Sequence, residues 1–266
     1  MASSPSIPPP TPSAPPAPPA RHVGIIAVSP EASGLFYREF FRRAEAQYGD
    51  TFHAPRITLH NEPGGLNAYV AAVDNGDWQT VGLLLAESAR KLTSIGADLL
   101  VVPDNLMQFG IHLAEGAGST VPGPPGTAES TAPAPWLKMT DTVADAVTAD
   151  GRTSVGIIGT RLVMEGSTYQ TMLGIKGVKV IIPEPADAQM IDDIIFDELV
   201  HGIVNPNSRT KWQGAIDRLA KRGAQGVILG ATEAPLLLAA ADTTLPVYDS
   251  LALLADGCVK RCAPSL

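Results

Sequence analysis

The chain has 266 residues, 45% of them hydrophobic, enough to build one large α/β domain or two modest lobes with a real core. Its 19 basic and 27 acidic residues give a net charge of −8, and the basic residues are scattered, so there is no electrostatic footprint for nucleic acid or an anionic membrane. No segment approaches the roughly 20 uninterrupted apolar residues that span a bilayer, so no membrane partner is expected, and a small-molecule partner and a cytoplasmic location are.

Residues 1–20 contain Pro, Ser and Ala without a charged residue or a continuous apolar run, which matches neither a secretory nor an organelle-targeting signal. Residues 1–21 read as a disordered Pro-rich tail. The stretch from His22 to Val28 then reads as a short buried strand, and Pro30 opens a helix carrying Leu35, Phe36, Phe40 and Phe41. A second strand is predicted over Arg56–His60, a helix from about Asp77 to Ile95, and a third strand over Asp98–Pro103. Strands alternating with helices indicate a parallel sheet.

Gly116 to Pro135 contains five Pro, four Gly and one charged residue, Glu129, the composition of a flexible connector that either lies solvated or covers a cleft as a lid. Trp136, just beyond it, reads as the anchor of that loop or as core. The opening pattern then returns: strands over Ser154–Thr160, Val178–Pro183 and Gly226–Gly230, with a helix at about 211–222. The chain is thus a weak internal duplication, with lobes expected at 22–115 plus about 246–266 and at 136–245, joined by 116–135. Cys258 and Cys262, four apart, fall on one face of a terminal helix. They read as packing residues, and with no histidine beside them no metal site is expected.

Two segments end equivalent strands of the two halves, Val102-Pro103-Asp104-Asn105 and Leu229-Gly230-Ala231-Thr232-Glu233. They resemble the catalytic segments of the aspartate/glutamate racemase superfamily, which usually read Pro-Cys-Asn-Thr and Leu-Gly-Cys-Thr-Glu. The resemblance runs from about Val23 to Ser250 and is strongest around Gly156–Glu165, Ile194–Ile203 and Arg222–Gly230. It implies two pseudo-symmetric flavodoxin-like α/β lobes with parallel sheets, an active site in the cleft between them, no cofactor, and a homodimer. In ordinary members one cysteine thiolate removes an α-proton and the other thiol returns it on the opposite face.

Here Asp104 and Ala231 stand where the resemblance places the cysteines, so the two-thiol reaction is excluded. Asp104 remains an acid/base, although a carboxylate is a weaker base than a thiolate unless burial raises its pKa. By resemblance Asn105, Gly159, Thr160, Ala231, Thr232 and Glu233 surround the substrate, with Asn105, Thr160 and Thr232 as a carboxylate cradle. Glu233 reads as holding its loop or as catalytic. Ser29 comes from the opening turn, and Asn61 from the loop after the second strand. That loop carries Leu66 near the place where aspartate-specific members have an arginine, so a second carboxylate lacks its guanidinium fork. His201 falls where several members place a substrate-contacting lysine, and reads either as a proton carrier or as a surface histidine. Gln108 replaces a frequent histidine, and His53, His60 and His112 give no catalytic pattern.

No dinucleotide-binding fingerprint, phosphate loop, zinc-protease helix or nucleophile elbow is present. Three readings remain. The first is one-sided carbanion or enol chemistry, such as an isomerisation, cyclisation or elimination, on a small carboxylate or dicarbonyl compound, with Asp104 and His201 as catalytic residues. The second is a decarboxylase or C–C lyase of arylmalonate-decarboxylase type. The third is a catalytically inactive metabolite-binding homologue. A step in secondary metabolism would suit so diverged a site.

Overall fold

The computed structural model describes residues 21–49, 54–62, 64–117 and 134–262, and of these the side chain of Leu66 is not described. The Pro-rich tail, His53 and most of the 116–135 connector lie outside the described residues.

In chain order the first half runs β1 (His22–Ala27), α1 (Pro30–Tyr48), β2 (Arg56–Asn61), α2 (Gly65–Asn75), α3 (Trp78–Ser94), β3 (Leu99–Val101) and α4 (Gln108–Ala117). α5 (Met139–Ala149) follows, then β4 (Ser154–Gly159), α6 (Arg161–Glu165), α7 (Ser167–Ile175), β5 (Lys179–Ile181) and α8 (Pro185–Asp197). A short 3-10 turn over Leu199–His201 leads to α9 (Pro206–Lys221), β6 (Val227–Gly230), α10 (Ala234–Leu237), β7 (Val247–Asp249) and α11 (Ser250–Cys262). Every strand pairing is parallel, in the orders β2-β1-β3 and β5-β4-β6-β7. The chain is α/β with two parallel sheets, the two-lobed arrangement.

The strands form where short runs of branched and apolar residues are buried on both faces. In the first sheet Val23, Ile25, Leu99 and Val101 point to Phe36 and Phe40 of α1, whereas Ile26, Leu100 and Val102 join the core shared with α3 and α4. Ser29 caps α1 by accepting from the Ala32 amide, and Pro30 takes the first-turn position where no amide hydrogen is needed. Between α3 and α4, Gly82 and Gly110 permit contact: a Cβ on Gly82 would lie 2.5 Å from Leu113 Cβ, and one on Gly110 2.6 Å from Val81 Cγ1. That closeness seats α4 and with it the loop carrying Asp104.

The duplication goes further than the strands. Leu100 donates to the Pro135 carbonyl and accepts from the Leu137 amide, at 2.9 and 2.8 Å, so the chain around Trp136 lies parallel beside β3 as β7 lies beside β6. Each of these segments leads into a helix that crosses over. α5 follows the first sheet but buries Val143, Ala144 and Val147 in the core that includes the second. α11 follows the second sheet but buries Leu254, Cys258 and Cys262 against Val23, Phe36 and Phe40. The segment expected to return to the first lobe therefore divides, because Val247–Asp249 has an open sheet edge to pair with on β6 and only the helix beyond it packs on α1. Both cysteines are buried apolar packing residues, and burial pushes the Cys262 thiol up to about 12.

Candidate active site

The carboxyl ends of β1, β3, β4 and β6 open into one cavity of about 450 Å³ formed by both halves. Its first-half wall holds Ser29, Glu31, Tyr69, Asp104 and Leu106, and its second-half wall Thr160, His201, Ala231, Thr232 and Glu233, with Ile195, Phe196 and Val200 completing an apolar side. Among the described residues no lysine or arginine lines it.

Asp104 is half-buried in the turn after β3, where Oδ1 accepts from the amides of Leu106 (2.9 Å) and Met107 (3.3 Å). Burial raises the Asp104 pKa and outweighs these two hydrogen bonds, which favour the charged form. Gln108 fixes the same turn: its Nε2 donates to the carbonyls of Val102 (3.0 Å) and Asp104 (3.1 Å), and its Oε1 accepts from the Met139 amide. The residue that replaces a frequent histidine is thus a clamp on the turn that presents Asp104.

Asn105 lines the cavity and joins the two halves there. Tyr169 Oη donates to its Oδ1 at 2.6 Å, and its Nδ2 donates to Ser250 Oγ at 3.0 Å and, at the long distance of 3.5 Å, to Thr232 Oγ1. Thr232 Oγ1 in turn donates to the Pro103 carbonyl at 3.2 Å, and Ser250 Oγ to the Leu229 carbonyl at 2.7 Å. A buried network with its members satisfied is rigid, since breaking one bond strands a polar atom away from water. Asn105 and Thr232 therefore spend their side chains mainly on holding the strand ends together.

Thr160 differs. It is buried, lines the cavity, and its Oγ1 has no hydrogen-bond partner among the described residues. Beside it Gly159 ends β4 in register with Gly230, and a Cβ there would come 2.6 Å from the Gly230 carbonyl oxygen. Gly159 shapes the floor by letting the two strand ends meet, and Gly230 is the member of the pair that faces the cavity.

Ala231 is buried, and its methyl group occupies the place equivalent to Asp104. Glu233, two residues on, is 8% exposed, and burial followed by the Asp104 charge raises its pKa to about 7. Burial, then the carboxylates of Asp104 and Glu233, pushes the Tyr69 phenol up as well, which keeps it a neutral hydrogen-bond donor. His201 is exposed at the rim, on a turn that Gly202 closes with φ 70° and that Glu198 secures by accepting from Ser208 Oγ at 2.9 Å. Ser29 reaches the cavity while capping α1.

Asn61 ends β2 on the exposed side and is not among the residues that line the cavity. Its neighbour Glu62 is tied instead to Lys91 at 2.9 Å and to Ser88 at 3.1 Å, which fastens the loop away from the site. Conversely, Tyr69, Phe196 and Val200 line the cavity without a sequence signal, and Tyr169 and Ser250 are needed to hold Asn105.

The family model described as Asp/Glu/Hydantoin racemase matches residues 25–258. Among solved structures the chain is similar to a Yersinia pestis protein assigned as an Asp/Glu racemase, with 30% identity and a TM-score of 0.78 over 91% of this chain and 99% of that one. An aspartate racemase homologue from Pyrococcus horikoshii aligns at 22% identity and a TM-score of 0.74, again over 91% and 99%. Glutamate racemase from Francisella tularensis, solved with D-glutamate, shares the fold at 13% identity and a TM-score of 0.59 over 91% and 80%.

Proposed function

The chain belongs to the Asp/Glu/hydantoin racemase family, and within it we propose a cofactor-independent enzyme that moves a proton next to a carbonyl group with carboxylate rather than thiol chemistry. The observation that carries this reading is the unequal pair of strand ends. Asp104 offers a carboxyl of raised pKa to the cavity, while Ala231 offers a methyl group at the equivalent place. Asp104 takes the proton, and Thr160, whose Oγ1 is buried without a partner among the described residues, turns that hydroxyl toward the oxygen on which enolate charge develops once substrate is bound. Tyr69 is a second neutral donor.

The substrate class follows from the lining. Glu31, Asp104 and Glu233 are carboxylic, and no lysine or arginine among the described residues opposes them. A dicarboxylate would enter against like charge, so a monocarboxylate or neutral dicarbonyl compound with an apolar substituent against Ile195, Phe196 and Val200 fits better. Isomerisation, cyclisation and elimination all suit such a substrate. The same apolar side favours a second reading, decarboxylation of a malonate-type acid, because an apolar surface destabilises the carboxylate that leaves as carbon dioxide.

The test is proton NMR in deuterium oxide, with the full chain and a panel of amino acids, malonates and β-keto acids. Deuterium incorporation next to a carbonyl, without carbon dioxide, supports isomerase-type chemistry; release of carbon dioxide selects the lyase. Neither on any compound, with ligand-induced line broadening, would leave a binding protein.

A further inference from the structure

We infer that Glu233 is the second proton carrier of this site, acting from the second half of the molecule as the acid that complements Asp104 as the base. This rests on the proton-transfer reading above and extends it from one group to a pair. Sequence position left Glu233 either holding its loop or catalytic, since the lost thiol stood two residues earlier, at Ala231.

Four observations place it there. Glu233 lines the same cavity as Asp104 and is more than nine-tenths buried. Among the described residues no side chain pairs with its carboxyl, whose one hydrogen bond is to its own backbone amide. Asp104 is close enough for its charge to disfavour the ionised form of Glu233. The groups facing the pair are Glu31 of α1, Tyr69 of α2, His201 of the rim turn and the hydroxyl of Thr160, and no lysine or arginine is among them. Two carboxyl groups in such surroundings hold one proton between them. Burial raises both carboxyls, but Asp104 alone accepts from two amides, and its charge is among the causes that raise Glu233 to about 7, so Glu233 is the one that keeps the proton.

The step balances without an oxidant or a cofactor. The Asp104 carboxylate takes a proton from carbon beside the carbonyl, the C–H bond breaks, and its electron pair passes into the enolate. The Glu233 O–H then donates its proton to the enolate, at the same carbon from the other wall or at a carbon further along, and a new C–H bond forms. Asp104 ends protonated and Glu233 ionised; loss of one proton to water and uptake of another restores the pair.

Two measurements on the full chain test this. In a carbon-13 carboxyl titration, the Glu233 side chain should titrate near neutral pH, and its midpoint should fall by about one unit in Asp104→Asn as the neighbouring charge is removed. A Glu233 midpoint in the ordinary carboxylate range, or one that Asp104→Asn leaves in place, overturns the pair. With whichever compound of the malonate, amino-acid and β-keto-acid panel turns over, Glu233→Gln should keep solvent exchange at the substrate carbon within about tenfold, while product formation drops at least about a hundredfold. Undiminished product formation in Glu233→Gln overturns the assignment while leaving Asp104 chemistry standing. If the wild type exchanges nothing, the enzymatic reading fails first, and the titration alone decides whether the two carboxyl groups share a proton.

Discussion

The turns after β3 and after β6 occupy equivalent places in the duplicated fold, yet they carry unequal chemistry. After β3 the ionisable group sits where the resemblance places one cysteine, with Oδ1 of Asp104 fastened by two amides and the turn itself clamped by Gln108. After β6 that position is the methyl group of Ala231, and the carboxyl lies two residues on in Glu233, buried and without a side-chain partner among the described residues. Burial raises both carboxyls, and in the proposed division Asp104 acts as the base and Glu233 as the acid. The duplicated backbone supplies two opposed presentation points, and the side chains placed there decide whether the halves act alike or divide the labour.

The comparison breaks most completely at Asp104. Asp104→Asn is nearly isosteric and keeps an amide oxygen for Leu106 and Met107, so the fold should persist while solvent exchange into substrate falls at least about a hundredfold. Unchanged exchange in that variant, beside an unchanged circular dichroism spectrum, would remove Asp104 from the chemistry.

Glu233 comes next, and its effect is on stability as well as on rate. Its pKa is raised in the folded chain, from an ordinary 4.5 to about 7, so the unfolded chain ionises first as pH rises. The stability associated with its neutral form is present below about pH 4.5 and is lost as pH climbs through about 7, by roughly 3 kcal/mol. Glu233→Gln should therefore match the wild type at pH 4.5 and exceed it at pH 8 in urea unfolding; Asp104 contributes in the same direction. Equal pH dependence in the two proteins would show that the Glu233 carboxyl is not held neutral.

Smaller effects separate groups that hold the site from groups that meet a ligand. Asn105→Ala strands Tyr169 Oη and removes the donor that Ser250 Oγ accepts from, and should cost about 1–3 kcal/mol in urea unfolding, with activity falling along with it. Thr160→Val removes a hydroxyl that has no protein partner, so stability should be unchanged or up to about 1 kcal/mol higher while KM rises several-fold. A stability loss in Thr160→Val would place that hydroxyl with Asn105 as a structural group.

Much of this was legible in the sequence. The buried strands declare themselves as short branched runs, as in Val23–Ile26 and Val227–Leu229, and the strand-end segments around Asp104 and Ala231 stand out because their changed residues sit inside otherwise familiar surroundings. The return of α11 to the first half was expected from the resemblance, but the crossing of α5 was not legible, because an amphipathic helix shows that it has a buried face but not against which partner. Tyr169 is a further example: its ring reads as core, and only the fold shows its hydroxyl on Asn105, 64 residues away. Asn61 was misleading for a related reason, since a polar residue at a strand end faces either the cavity or solvent according to the twist of the sheet.

The account stands or falls on whether carboxylate has replaced thiol as the base. The most direct measurement is the rate of deuterium incorporation from solvent into the best compound of the panel, wild type against Asp104→Asn, with both proteins folded. A loss of at least about a hundredfold in the variant is the predicted result; equal rates in the two proteins would contradict it.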